Sequence, residues 1–502
     1  MAISIVLANF LIYVVMVFFM FIGLYAGYKE TKTKTDFLSS IGTQTALSLA
    51  ANWFASNLGS SVLYAYPEVG VRAGILGNFW YAFGSTVPLM VFAWLGPKLR
   101  KKCPDGFLLT SFVSERYGRM NQIYVSLMSM AYMFCYMVSE LSAIDGILSL
   151  LTGYDFSHVP IILITITTTL YTVQGWAIAI LLIISAIGFG VTVKLDPAVV
   201  NSSPLLQSNK LAFSSKNDHE LVHSAIYGSL LLFPTLFLIG FTGIIAAWAG
   251  TWPGSDPNNP AEPYMSFFSL YTLLPDWVKG FVVILSVSLS CSAYDTLQSA
   301  MVSTMSNDLF DNKLPLTIIR CLTVLFNIPA VILGIKNLDV LVVFLVGDLI
   351  ASAVMPPILL GLIDSLYFLN GFDSLVGGLG GFFSIFIFGS AYFNSAYEGA
   401  QLFILTNGLY ADDYSVLGAF IVAPLGSIVF TFLAFGIRLF GIFILTKIQG
   451  KEFEFPKPQP ESDISKPEPD ITKEKSEDIE NVVTKDTEDV MIKDSHNMSK
   501  IV

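Results

Sequence analysis

Four side chains in the apolar stretch Leu285–Phe310 are spaced to do chemistry together. Ser288, Ser292, Asp295 and Ser299 recur at intervals of three and four, so on an α-helix they put three hydroxyls and one carboxylate on one face. A hard cation such as Na+ seeks oxygen ligands of this kind. Inside a bilayer Asp295 is also a candidate carrier of a transported proton. Hydroxyls also bond neighbouring helices together, so this face needs a second element to become a site.

A broken helix is such an element. Ala46–Gly77, ALSLAANWFASNLGSSVLYAYPEVGVRAGILG, is long and apolar enough to cross a bilayer yet crowded with Gly, Ser, Asn and Ala. Hydrocarbon offers the backbone no partners, so a spanning helix unwinds only where the freed groups line a cavity or bind something. Discontinuous helices hold substrate and coupling ion near the midplane of secondary transporters. A small-residue packing face is the other reading of this composition.

A rival motif is His219-Glu-Leu-Val-His223, which matches H-E-x-x-H. On a helix its histidines would share a face and bind Zn2+, with Glu220 as general base. The third ligand is the difficulty. Only His158 and His496 remain, in distant parts of the chain, so a membrane zinc metalloprotease stays a remote alternative. No metal, cofactor or catalytic residue is expected, and the protein is not read as an enzyme. No phosphate-cradling glycine loop supports ATP coupling, and no nucleic-acid partner is expected.

Composition sets the class. With 54% hydrophobic and 13% charged residues in 502, the chain has too little polar surface for a soluble globule. It reads as an all-α polytopic membrane protein, since no period-two alternation supports a barrel. Spans of roughly 20 residues fall at Ile3–Gly27, Thr43–Tyr66, Gly74–Leu95, Tyr124–Leu151, Val159–Val173, Ala177–Val193, Ser224–Ala249, Val278–Ser306, Leu316–Ile335, Val340–Ile363, Val376–Phe393 and Ser415–Leu445, the last with a kink expected at Pro424. Residues 1–450 form the membrane domain. Residues 451–502, rich in Lys, Glu, Asp, Ser and Pro, form a disordered acidic tail that carries most of the net charge of −11. Four scattered cysteines suggest neither disulfides nor a metal.

Charge fixes the orientation. No cation precedes the first apolar run, whereas Lys29, Lys32 and Lys34 follow it, which puts the N-terminus outside and, with Arg438, Lys447 and Lys451, the tail in the cytoplasm. An odd number of crossings is then required, and twelve are counted. The missing one lies between Lys194 and His223, a stretch too polar to span. Asn201-Ser-Ser203 in it matches a glycosylation sequon.

Ser48-Leu-Ala-Ala-Asn-Trp-Phe-Ala-Ser56, Ser292-Ala-Tyr-Asp-Thr-Leu-Gln-Ser-Ala300 and Asn307-Asp-Leu-Phe310 resemble the sodium:solute symporter family. Gly77-Asn-Phe-Trp-Tyr-Ala-Phe-Gly84, Thr110-Ser-Phe-Val-Ser-Glu-Arg-Tyr-Gly118 and Leu238-Ile-Gly-Phe-Thr-Gly-Ile-Ile-Ala-Ala-Trp-Ala-Gly250 are most similar to its fungal urea active transporters. The resemblance implies an inverted-repeat, LeuT-like bundle of about 12–13 spans, here lacking one core helix, the sixth. It implies an ion site at Ala50 and Trp53 of the broken helix and at Leu289, Ser292 and Ala293. Ala293 stands where many sodium-coupled members carry a second hydroxyl, which makes a proton the rival to Na+. The Tyr-Thr-x-x-Gly-Gly turn survives as Tyr171-Thr-Val-Gln-Gly-Trp176.

The resulting expectation is secondary active transport of a small polar solute, with urea as leading candidate, driven by H+ or Na+ across the plasma membrane. Asn52, Trp53, Asn57, Ser60, Trp80 and Tyr81 are the candidate substrate-cavity residues. Aromatic faces with amide and hydroxyl groups suit a planar molecule bearing four N–H donors and one acceptor. A polyamine would favour a carboxylate, with Asp295 as discriminator. A non-transporting nutrient sensor and a degenerate transporter copy are the alternatives. Glu140, Asp145 and Asp348 are further intramembrane acids, read either as a proton relay or as packing and span-end residues.

Overall fold

A backbone in hydrocarbon must bond to itself, and in the computed structural model of the chain it does so through helices alone among the described residues. These are 7, 10–18, 20–21, 45–102, 109–152, 158–173, 218–253, 262–271, 275–310, 313–336, 338–406, 414–450, 453 and 455. The span Ala177–Val193, residues 194–217 of the polar stretch with the missing crossing, the sequon, Gly175–Trp176, Lys29–Lys34 and nearly all of the tail lie outside them. The described residues up to Gly450 belong to one compact unit.

After helical residues 10–18 come α1 (Ala46–Ser56), α2 (Val62–Lys102), α3 (Leu109–Tyr117), α4 (Arg119–Thr152), α5 (Val159–Val173) and α6 (Asp218–Trp248). They are followed by α7 (Ser266–Tyr271), α8 (Asp276–Thr304), α9 (Leu316–Gly334), α10 (Val340–Leu360), α11 (Gly371–Phe393), α12 (Ala396–Gln401) and α13 (Ser415–Ile448). A π-turn, Met305–Leu309, extends α8. Seven of the described helices are long and apolar enough to cross a membrane.

The break expected in Ala46–Gly77 is present. α1 stops at Ser56 and α2 starts at Val62. A second interruption, Gly74 at φ 65° and ψ −166°, divides α2 into two limbs, a conformation that glycine reaches without steric cost. That point coincides with the boundary expected between two spans. α13, by contrast, runs unbroken through Pro424, so the expected kink does not interrupt it.

Two small-residue interfaces hold the bundle. On α6, Gly240 faces Gly70 and Gly243 faces the Pro67 carbonyl of α2, so the helices approach backbone to backbone. On α11, Gly377, Gly380 and Gly381 meet Thr431, Phe430 and Ala423 of α13. α11 begins in a capping box, with the Asp373 N–H donating to Asn370 Oδ1 at 3.1 Å and the Asn370 N–H to Asp373 Oδ2 at 3.0 Å. Arg438 of α13 donates to the same Asp373 at 3.1 and 2.7 Å and to the Phe368 carbonyl at 2.7 Å. Asp373 is fully buried.

One end of the bundle is basic. There Arg100 pairs with Asp218 at 3.4 Å and Lys102 with Asp364, and Arg119 donates to the Leu309 carbonyl at 3.1 Å. The neighbouring Lys102 holds the exposed Asp364 carboxyl below its usual range. At the other end Tyr264, just before α7, stacks on Tyr64 at 5.3 Å, and Phe268 of α7 lies 5.4 Å from the same ring. Burial pushes the Tyr264 phenol up.

Candidate functional site

The break between α1 and α2 is built around a carboxylate from another helix. Glu140, midway along α4 and 3% exposed, accepts the Ser60 N–H at 2.8 Å and the Ser60 hydroxyl at 2.9 Å, and it also accepts the Ser61 hydroxyl. A carboxylate is thus held at the start of α2, where unsatisfied N–H groups and the helix dipole favour negative charge. Gly59 makes this possible, because a Cβ there would overlap the Glu140 carboxyl. These partners are all uncharged, and no lysine, arginine or histidine pairs with Glu140 among the described residues. A buried carboxylate inside a membrane is costly without compensation.

On the α1 side of the break, the Trp53 carbonyl has lost its helical partner. It accepts Asn57 Nδ2 at 2.7 Å and the Ser56 hydroxyl at 3.4 Å. Asn57 is exposed and Trp53 5% exposed. The Trp53 indole N–H is buried with no acceptor among the described residues. Phe92 of α2 lies against the ring at 5.7 Å.

The other residues expected at the ion site divide between two helices in contact, α1 and α8. Ala50 is buried, with its carbonyl turned towards Gly228 of α6. On α8, Ala293 and Asp295 are buried while Leu289 and Ser292 are half-buried. The Ser292 carbonyl accepts the Thr296 hydroxyl at 2.8 Å. Of the substrate candidates, Ser60, Asn57 and Trp53 gather at the break. Tyr81 sits beside Tyr66 at 4.9 Å. Trp80 stands apart, 59% exposed in an aromatic patch with Phe79 and Phe83. The Asn52 side chain lies outside the described residues.

The three acids read as a relay do not bond to one another among the contacts seen. Asp145 meets His158 Nδ1 at 2.9 Å near the far end of α4. Asp348 of α10 accepts the Tyr136 hydroxyl at 2.9 Å. Glu140 serves the break. Its presence in an apolar span was a visible signal, but nothing in the sequence paired it with Ser60 and Ser61.

His219 and His223 lie ring against ring at 4.0 Å in the first turns of α6. His223 Nδ1 contacts the His219 carbonyl at 2.8 Å, and Glu220 accepts the Ala46 N–H at the start of α1. The glutamate therefore caps a helix. Among the described residues no group of three His, Cys, Asp or Glu could hold a metal ion.

The sodium:solute symporter family profile matches residues 37–187. A relative from Candida albicans, described as the spermidine transporter DUR31, is 36% identical over 486 residues, covering 89% of this chain and 92% of its own length. Among solved structures, a Na+-coupled sialic acid symporter in a substrate-bound outward-open state superposes with a TM-score of 0.57 at 14% identity, over 84% of this chain and 95% of that one. The all-helical, LeuT-like fold is thereby shared, and the chain is an integral membrane protein that belongs to the sodium:solute symporter family.

Proposed function

We propose that the protein is a secondary active transporter of amine-bearing cations, spermidine-like in chemistry, with the break between α1 and α2 as its binding centre. The observation that carries this reading is Glu140, a buried carboxylate whose seen partners are hydroxyls and one N–H. An ammonium group would supply the missing charge, and the name of the 36% identical relative agrees. Ser60 and Asn57 offer further oxygens to N–H donors.

Urea is the second reading, favoured by the unpartnered indole N–H of Trp53, a donor suited to the urea carbonyl. The coupling cation, H+ or Na+, is assigned to the carbonyls of Ala50 and Trp53 with Leu289, Ser292 and Ala293, with Asp295 as the proton-carrying alternative. For Trp53 this requires Asn57 Nδ2 to leave the carbonyl it occupies at 2.7 Å. The positive-inside rule makes the basic end cytoplasmic, with the N-terminus outside, the tail of residues 451–502 inside, and the plasma membrane as the site of action.

The test is uptake of labelled spermidine and of labelled urea into cells lacking both transport activities, with the proton and sodium gradients collapsed in turn. Spermidine uptake that depends on one gradient and falls at least tenfold in Glu140→Gln is the expected result. Urea uptake without spermidine uptake would establish the second reading. Binding of either solute without accumulation would point to a sensor.

A further inference from the structure

One helical turn before Glu140, on the same face of α4, stands Tyr136, whose hydroxyl donates to Asp348. Aromatic rings from α2, α4 and α10 lie close to this pair. Tyr132 and Tyr136 lie 4.6 Å apart, and Tyr136 stacks on Phe344 of α10 at 4.5 Å. Tyr66 and Tyr81, from the two limbs of α2, form a second pair. Asp348 is near enough to Tyr66 to interact with it electrostatically, as Tyr81 is with Tyr136. Gly347 lets α10 come this close, because even a Cβ there would stand 3.2 Å from the Tyr136 ring. Asp348, Tyr81, Tyr132 and Tyr136 are each partly buried.

A carboxylate with aromatic rings close by suits an alkylammonium group, since it combines an ion pair with cation–π attraction. No lysine, arginine or histidine pairs with Asp348 among the described residues. The footings of the two carboxylates on α4, Tyr136 and Glu140, are four residues or about 6 Å apart along the axis. Amines separated by three or four methylenes span roughly 5–6 Å when extended, from bond lengths of about 1.5 Å.

We propose that Asp348, bonded to Tyr136 and close to Tyr66 and Tyr132, binds a second ammonium group of the solute whose first ammonium meets Glu140. The site then selects molecules with two or more amines over those with one. This rests on the amine reading above, and the two fail separately.

The experiment compares putrescine with butylamine, which share a four-carbon chain and differ in one amine, using the full-length protein in proteoliposomes. In Asp348→Asn the ratio of uptake efficiencies, putrescine over butylamine, is expected to fall at least about tenfold, the factor for one lost charge-assisted bond. Tyr136→Phe, which removes only the hydroxyl that orients Asp348, should lower the ratio at least threefold, and Asp348→Glu should recover part of it. Should Asp348→Asn fail to fold, Tyr136→Phe carries the test. Amine uptake with an unchanged ratio overturns the two-point site and leaves the amine reading standing. A wild-type protein that moves neither of these amines nor spermidine overturns both.

Discussion

Replacing Gly59 by alanine asks whether the Glu140 carboxylate organises the break. An ideal Cβ on Gly59 would lie 2.8 Å from Glu140 Oε2 and nearer still to Oε1 and Cδ, inside the 3.0 Å that real Cβ contacts respect. Because α4 is continuous here, the carboxyl must swing away on its own side chain. The Ser60 and Ser61 hydroxyls can rotate after it, but the Ser60 N–H is fixed in the backbone. Losing that bond to a charged acceptor costs about 1.5–3 kcal/mol, which corresponds to roughly a ten- to hundredfold loss of the competent site. Initial rates of labelled spermidine and urea uptake at subsaturating concentration, normalised to surface protein, should fall by that factor. Gly84→Ala and Gly436→Ala are the controls, since an added Cβ at either meets nothing within 4 Å. In a Gly59→Ala, Glu140→Ala double variant the losses should not add, because both remove one interaction. Wild-type rates in Gly59→Ala, or additive losses in the double variant, would refute the reasoning.

Ser292→Ala should raise the half-saturating concentration of the coupling cation by about tenfold, as for one lost oxygen ligand; unchanged cation dependence in a well-expressed variant removes Ser292 from the ion site. Arg438→Met leaves Asp373 buried and uncompensated, so a loss of about 3–5 kcal/mol is expected, read as a lower melting temperature. Asp364→Asn, at an exposed pair with Lys102, should leave that temperature alone. Purified protein should hold less than stoichiometric zinc, and Glu220→Ala should loosen the start of α1 without changing metal content; zinc lost from His219→Ala or His223→Ala would revive the metalloprotease.

Much of the architecture was legible because bilayer physics acts locally. Apolar run length marks spans, and small polar residues in Ala46–Gly77 mark a break whatever surrounds them. Gly74, a boundary between expected spans, reappears as the division of α2. Sites were harder because they depend on which faces meet. Tyr81 and Trp80 are adjacent and both aromatic, yet Tyr81 turns to Tyr66 while Trp80 is 59% exposed. Glu140 and Asp348 both read as intramembrane acids. Only the packing of α4 against the break and against α10 shows that each meets different groups.

The arrangement of charge favours a cationic cargo over a neutral one. Glu68, Asp145 and Asp373 each have a basic partner on the protein, Arg72 at 2.8 Å, His158 at 2.9 Å and Arg438 at 2.7 Å. Asp364 and Asp218 pair with lysine and arginine at the basic end. Against this pattern Glu140, Asp348 and the fully buried Asp308 meet uncharged donors, and of these Glu140 borders the interruption between α1 and α2. A carboxylate paired with a fixed arginine, as Glu68 and Asp373 are, is neutral as a pair in every state of a transport cycle. Acids without one are compensated only while something mobile stays beside them. If that mobile partner were a single coupling ion, the other of Glu140 and Asp348 would need a proton or a second cation to offset the cost of burying an isolated charge. A diamine, or one ammonium with one coupling cation, answers both, so loading the solute and loading the ion lower the same electrostatic cost. Coupling between solute and ion then follows from charge compensation alone, and it should weaken in Glu140→Gln or Asp348→Asn even where the binding of either partner persists.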